Sequence, residues 1–237
     1  MTKEDIVPDW ARVLVRDNFG PFPQGQGPRR FTMRLCLTCN GTLNDRFEIL
    51  AHPLVEPLIR DVAQRFTRAH QAIVAHWILK TSLMDHFEVA VRNGDDSFAE
   101  QIRRVVLYMM KHEASPLAFS VRTMRVGTPV EPSRVGPADG ELVPQPPPSI
   151  MYHAVPYLGH LGWELVVADE LVIWEFVART QDNGWFVRIW PPQTPHAQVP
   201  PRRILRRSDL DRMHNLWNTL PDSKEHIREL WNPDHDW

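Results

Sequence analysis

The chain has 237 residues, enough for one large domain or two small ones, and 43% of them are hydrophobic, so a substantial core can be buried. Lys and Arg total 27 against 29 Asp and Glu, a net charge of −2 that excludes a global pull toward nucleic acid or anionic membrane. Two cysteines, spaced Cys36-x-x-Cys39, exclude a disulfide scaffold.

Residues Met1–Asp5 are polar and charged, with no apolar leader behind them. The longest apolar candidate, Ile73–Leu83, is interrupted by His76 and Lys80. No membrane partner and a cytoplasmic location are expected. Thr2 is expected to cap a short helix with Glu4 and Asp5 in its first turn, and with Trp10, Val13 and Leu14 facing the core. Gly and Pro residues between Asn18 and Pro28 mark a loop. Phe31–Leu37 suits a short strand leading into Cys36. A helical pattern starts at Asn44, with Phe47, Leu50 and Leu54 at helical spacing and Pro53 and Pro57 set to kink or restart it.

Gln71–Val91 carries the clearest helical face (Ile73, Val74, Trp77, Ile78, Met84 and Phe87), and Asn93-Gly94 ends it. Ser97 is the expected cap of the next helix, whose stripe is Ile102, Val105, Val106, Met109 and Met110 and which Pro116 closes. The period then changes to strand. Leu117–Val126, Ile150–Leu158, Trp163–Ala168, Leu171–Arg179 and Trp185–Trp190 read as strands, with hairpin turns at Asp169-Glu170 and Asn183-Gly184. The Pro-rich stretch 128–149 is an extended loop, Trp190-Pro191-Pro192 stops the sheet, and Ser208 caps a helix through Leu210, Met213, Leu216 and Trp217. The fold class is α+β: a helical region, 1–116, holding a small Cys-x-x-Cys element, then a mostly antiparallel sheet region, 117–237, with a C-terminal helix.

The sharpest local motif is Cys36-Leu37-Thr38-Cys39-Asn40. A C-x-x-C turn offers two thiolates, half of a structural zinc site. The other half would come from His, Asp or a second copy of the chain. The alternatives are no stable metal, or a redox pair. Redox pairing needs a thioredoxin-like strand and helix around the motif, which the sequence does not display. His52, His70, His76 and His86 lie in or near helices and read as packed or surface residues.

The stretch Cys36-Leu-Thr-Cys39-Asn40-x-x-Leu43-x-x-x-Phe47-Glu48, followed by Ala51-x-Pro53-Leu54-x-x-Pro57-Leu58-Ile59, resembles a group of bacterial HNH-endonuclease-like proteins. Glu4-Asp5-x-x-Pro8-x-Trp10 is similar to that group's Glu-His-x-x-Pro-x-Trp, and Ala75-x-Trp77-x-x-Lys80-Thr81 and Ile189-Trp190-Pro191-Pro192 also resemble it. The resemblance implies a nucleic-acid partner, DNA above all, and metal-dependent cleavage with Mg²⁺ or Mn²⁺. Departures from the pattern are clear. The earlier Cys-x-x-Cys that completes the family's zinc site is absent from the chain as it begins at Met1. The general-base His is replaced by Asp5, the second Asn by Gly41 and the usual Trp by Leu43. Asp5 stays ionised near neutral pH, so it suits Mg²⁺ better than proton abstraction.

On that resemblance the candidate catalytic residues are Asp5, Asn40 and Glu48, and the candidate metal ligands are Cys36 and Cys39. Against the net charge of −2, Arg29, Arg30, Arg202, Arg203, Arg206 and Arg207 are the candidate nucleic-acid contacts. Two functions follow: an endonuclease of altered site or its degenerate nucleic-acid-binding descendant, and, as the rival, a non-catalytic subunit docking a protein partner or a second copy. An exposed patch around Trp163, Trp174 and Trp185 would mark the rival.

Overall fold

The computed structural model describes residues 2–5, 7–19, 32–112, 114–126, 151–168, 173–174, 186–201 and 204–205. Strand β1 (Thr2–Asp5) pairs antiparallel with β2 (Thr32–Leu35), Thr2 facing Leu35 and Asp5 facing Thr32. The expected helix over Thr2–Asp5 is therefore corrected to strand. Pairing with β2 supplies that segment's backbone hydrogen bonds, and the helix begins only past Pro8. It is α1, Asp9–Phe19. Pro8 suits a helix entrance because a missing N–H costs nothing there, and its carbonyl accepts from Ala11 N at 3.0 Å.

Helix also starts earlier than expected after β2. Cys36 is the N-cap of α2 (Leu37–Leu43), a π-helical turn follows over Asn44–Glu48, and α3 (Ile49–Ile59) completes one continuous helical run. Pro53 and Pro57 sit inside α3 without ending it. The extra residue in the π turn rotates the core face. Leu43, Phe47, Ala51, Val55, Leu58 and Ile59 are buried, whereas Leu50, expected in the core, is exposed. The run stops at Asp61, which holds a left-handed φ of 63° while Val62 N bonds Pro57 O at 2.8 Å and Asp61 N bonds Leu58 O at 3.1 Å. Asp tolerates that conformation better than most side chains, and Arg125 grips its carboxylate with two donors, one of them Nε at 2.6 Å.

After β3 (Gln64–Thr67), α4 spans Arg68–Asn93. Thr67 caps it by accepting from His70 N at 3.3 Å, and Gly94, at φ 73°, ends it as the sequence implies. Helix α5, Asp96–His112, begins two residues after Gly94, and its cap is the intervening Asp95, whose Oδ1 accepts from Phe98 N at 3.0 Å. The expected cap, Ser97, lies inside the helix. The anticipated stripe of Ile102, Val105, Val106, Met109 and Met110 is buried.

Strand β4 (Ala118–Val126) is the centre of a sheet ordered β5-β6-β4-β7 among the described residues, with β5 Met151–Leu158, β6 Leu161–Ala168 and β7 Phe186–Trp190. All of these pairings are antiparallel. Strand β8 (His196–Val199) pairs with β3, and β9 (Ile204–Leu205) adds a short parallel pairing to β4 at Arg125 and Val126. The fold is thus α+β, with helices early and antiparallel sheet later. The tight turn between β5 and β6 is Gly159-His160, with Gly159 at φ 63°. The expected turns at Asp169-Glu170 and Asn183-Gly184, the loop 128–149 and the helix after Ser208 lie outside the described residues. Of the expected strand Leu171–Arg179 only Ile173 and Trp174 are described, and neither belongs to a strand.

One core runs through both halves. Helix α4 is buried on every side from Trp77 to Met84 because it lies between the other helices and the sheet. Trp77 and Trp163 face each other across that contact, with ring centroids 5.8 Å apart. Burying an indole removes about 150–250 Å² from water, or roughly 4–6 kcal/mol each at about 25 cal/mol per Å². His160 N bonds Ile59 O at 3.1 Å, so the end of α3 is fastened to the β5–β6 turn.

Candidate functional site

Glu48 stands at the end of the π turn and is 3% exposed. A carboxylate cannot stay charged at that depth unless its lone pairs are filled. Here the Lys80 ammonium, itself fully buried, donates to Oε1. Trp77 Nε1 donates to Oε2 at 2.9 Å and Trp10 Nε1 donates to the same oxygen at 3.3 Å. Trp77 and Lys80 are three residues apart on α4, which sets them on one face of the helix. Trp10 reaches the same oxygen from α1 and stacks on His52, with ring centroids 4.2 Å apart. The indole of Trp163, on the far side of Trp77, donates to Ser82 Oγ at 3.3 Å. The indole N–H of each of Trp10, Trp77 and Trp163 has an acceptor.

Three segments distant in sequence therefore meet at one carboxylate: Trp10 from the first, Glu48 from the second, Trp77 and Lys80 from the third. Trp190 of β7 packs against α4 as well, its ring centroid 5.4 Å from that of His76. His76 Nδ1 donates to Ala72 O at 2.8 Å, and burial holds its pKa below the ordinary histidine value. This is a packed histidine, as the sequence suggested.

Cys36 and Cys39 lie on one turn at the start of the same helical run. Cys36 is exposed and Cys39 half-buried, and both are free thiols. Cys36 Sγ accepts from Cys39 N at 3.0 Å. The Cys39 thiol hydrogen-bonds that sulfur as well, and these two contacts hold the Cys36 pKa below the ordinary thiol value. The same thiol–thiol bond, followed by burial, raises that of Cys39. Asn40 N bonds Cys36 O at 3.0 Å, and Asn40 Oδ1 is closed off from solvent with no hydrogen-bond partner.

Asp5 closes β1 rather than leading a helix, and α2 packs against β1. Glu48 is neither a solvated helix residue nor an open ligand, because its oxygens are occupied in the core. Asn40 and Glu48 share no hydrogen bond. Arg29, Arg30, Arg202, Arg203, Arg206 and Arg207 lie outside the described residues. Among the described residues no group of three or more His, Cys, Asp or Glu side chains is placed to hold a metal ion. The cysteine pair thus offers zinc two ligands of the usual four, and the fit is incomplete. Among the same residues no helix is long and apolar enough to cross a membrane.

A second buried ionic group lies in the sheet. Glu164 on β6 accepts from Arg122 on β4, and the register carries the row on to Arg188 on β7. All three are buried, and the Arg122 guanidinium sits 4.4 Å from the centroid of the Phe186 ring. Sequence reasoning missed this row. Its signal was a charged residue at matching positions of three strands otherwise rich in apolar residues. Trp163, expected in an exposed patch, is 1% exposed because it faces α4. Trp174 is exposed, and Trp185 lies outside the described residues.

No family model matches the chain, and neither a curated protein nor a solved structure matches it.

Proposed function

We propose that this protein is a nucleic-acid-directed, HNH-like module in which the scaffold is kept and strand-cleaving chemistry is reduced or lost. The observation that carries the reading is the meeting of Trp10, Glu48, Trp77 and Lys80. Residues drawn from three separate stretches of the resemblance form one buried cluster, as expected if they were retained together to hold a common scaffold. The order strand, paired strand, helix also brings Asp5, the cysteine turn and Asn40 onto adjoining elements. The reading of Glu48 as a catalytic residue is dropped, since opening its carboxylate to substrate or a cation would strand Lys80 in the core. Asp5 remains as the residue of this module proposed to meet substrate, with Mg²⁺ or Mn²⁺ as the cation for any residual activity and Asn40, whose amide oxygen is closed off from solvent, in an orienting role. A nucleic-acid partner fits a cytoplasmic setting.

The test is nicking of supercoiled plasmid with Mg²⁺ or Mn²⁺ by the parent, Asp5→Ala and Asp5→His, alongside retention of DNA at low salt. The parent is expected to bind DNA and to cleave at least about 10²-fold more slowly than an enzyme with its base in place. A gain of cleavage in Asp5→His supports the scaffold reading. Robust cleavage that survives Asp5→Ala places the chemistry elsewhere. No DNA retained by any variant favours the protein-docking rival.

A further inference from the structure

We propose that Cys36 and Cys39 form a thiol–disulfide couple that exchanges electrons with low-molecular-weight disulfides. The inference is independent of the nucleic-acid reading. The motif lies between a short strand, in an antiparallel pair rather than a thioredoxin-like parallel sheet, and a helical run. Strand β2 ends at Leu35, Cys36 follows at once, and helix begins at Leu37. The two sulfurs are unequal in the way such a couple requires. Cys36 is exposed beside Leu37, which is 74% exposed, so a small disulfide can approach it without opening the fold. Cys39 is half-buried one turn on, its N–H 3.0 Å from the Cys36 sulfur.

Side chains three apart on a helix have Cβ atoms about 5–6 Å apart, somewhat wider than the roughly 3.5–4.5 Å of a disulfide. Cys36 precedes the helix in an extended conformation, φ −69° and ψ 155°, and its sulfur already folds back over the first turn toward Cys39. The alternative use of the pair, zinc, has two of its four ligands among the described residues.

The exchange balances in two steps. The Cys36 thiolate attacks one sulfur of the small disulfide. A bond forms between them, the original S–S bond breaks, and the released half takes up a proton as a free thiol. Cys39 then gives up its proton and attacks the Cys36 sulfur. The Cys36–Cys39 bond forms, the mixed disulfide breaks, and the second half leaves as a thiol. The chain loses two electrons and two protons, and the small disulfide gains them.

The test uses the full chain in buffers of graded glutathione disulfide to glutathione ratio, quenched with acid and read by intact mass and peptide mapping. The parent is expected to pass to the internally bridged form, having lost two hydrogens. Cys39→Ser is expected to lose the bridge entirely and to accumulate one glutathionyl group on Cys36. Cys36→Ser, in which serine keeps the helix cap, is expected to react on the order of tenfold more slowly, since its remaining thiol is partly shielded. A parent that ends with a glutathionyl group on each cysteine, stays a dithiol in excess disulfide, or holds one zinc with both thiols closed to the reagent overturns the proposal.

Discussion

Cys36 and Glu48 belong to one helical run, yet their surroundings are opposite. At its start the run is open: Cys36 caps it from solvent, and Leu37 projects from the surface. At the π turn it is closed over by α1 and α4, and a carboxylate is sealed in with an ammonium and two indoles. The amino acids alone would suggest the reverse, with the charged Glu48 in water and the apolar Leu37 inside. What decides is the supply of partners. A buried charge is tolerated where donors fill its lone pairs, and an apolar side chain goes to the surface where no neighbour covers it.

The largest effect is expected at Lys80. Lys80→Ala leaves the Glu48 carboxylate in the core without its counter-charge, and a loss of about 3–5 kcal/mol is expected in urea or thermal unfolding. A loss below about 0.5 kcal/mol, the range of ordinary surface changes, would mean that Glu48 reaches solvent. The next effect is Trp77→Phe, which keeps most of the ring but removes the donor 2.9 Å from Oε2. A hydrogen bond to a charged group contributes about 1.5–3 kcal/mol, so a cost of about 2–3 kcal/mol is expected by the same measurement. The smallest effect lies at the open end and is one of reactivity. Cys36 is expected to alkylate with a pH midpoint below that of an ordinary thiol, near 8.5, and Cys39 with one above it. Because the bond to Cys36 is the largest cause of the rise, Cys36→Ser should bring the Cys39 midpoint back down. Peptide-resolved alkylation against pH reads both, and equal midpoints would contradict the thiol–thiol bond.

The helices and the central strand were legible in the sequence where pattern and punctuation agree. In α4 the apolar face and Gly94 both gave the right answer, and β4 came from its change of period. Boundaries failed where a partner strand or an extra residue intervened. Thr2–Asp5 looked like a helix entrance because capping residues precede a helical pattern, but β2 competes for its backbone. Leu50 looked like core because a π turn cannot be seen in a 3.6-residue period. The strand β3 and its partner β8 are short and distant in sequence, and neither periodicity nor turn signals reveal such a pairing. For the site, the sequence named Glu48 but not its environment. The clue was Lys80 inside an apolar helix, three residues from Trp77. A buried lysine implies a buried acid, and Glu48 is the carboxylate that meets it.

The measurement that bears most directly on Glu48 as a scaffold residue is a double-mutant cycle between Glu48→Gln and Lys80→Met, read by urea unfolding. Glutamine keeps an acceptor for Trp77, and methionine keeps the length of the lysine stem. The buried pair predicts that both single variants are strongly destabilised, that the double variant recovers part of the loss, and that the coupling is roughly 1–3 kcal/mol. Coupling near zero, with each single variant within about 0.5 kcal/mol of the parent, would put the Glu48 carboxylate in solvent and return it to the candidate catalytic residues.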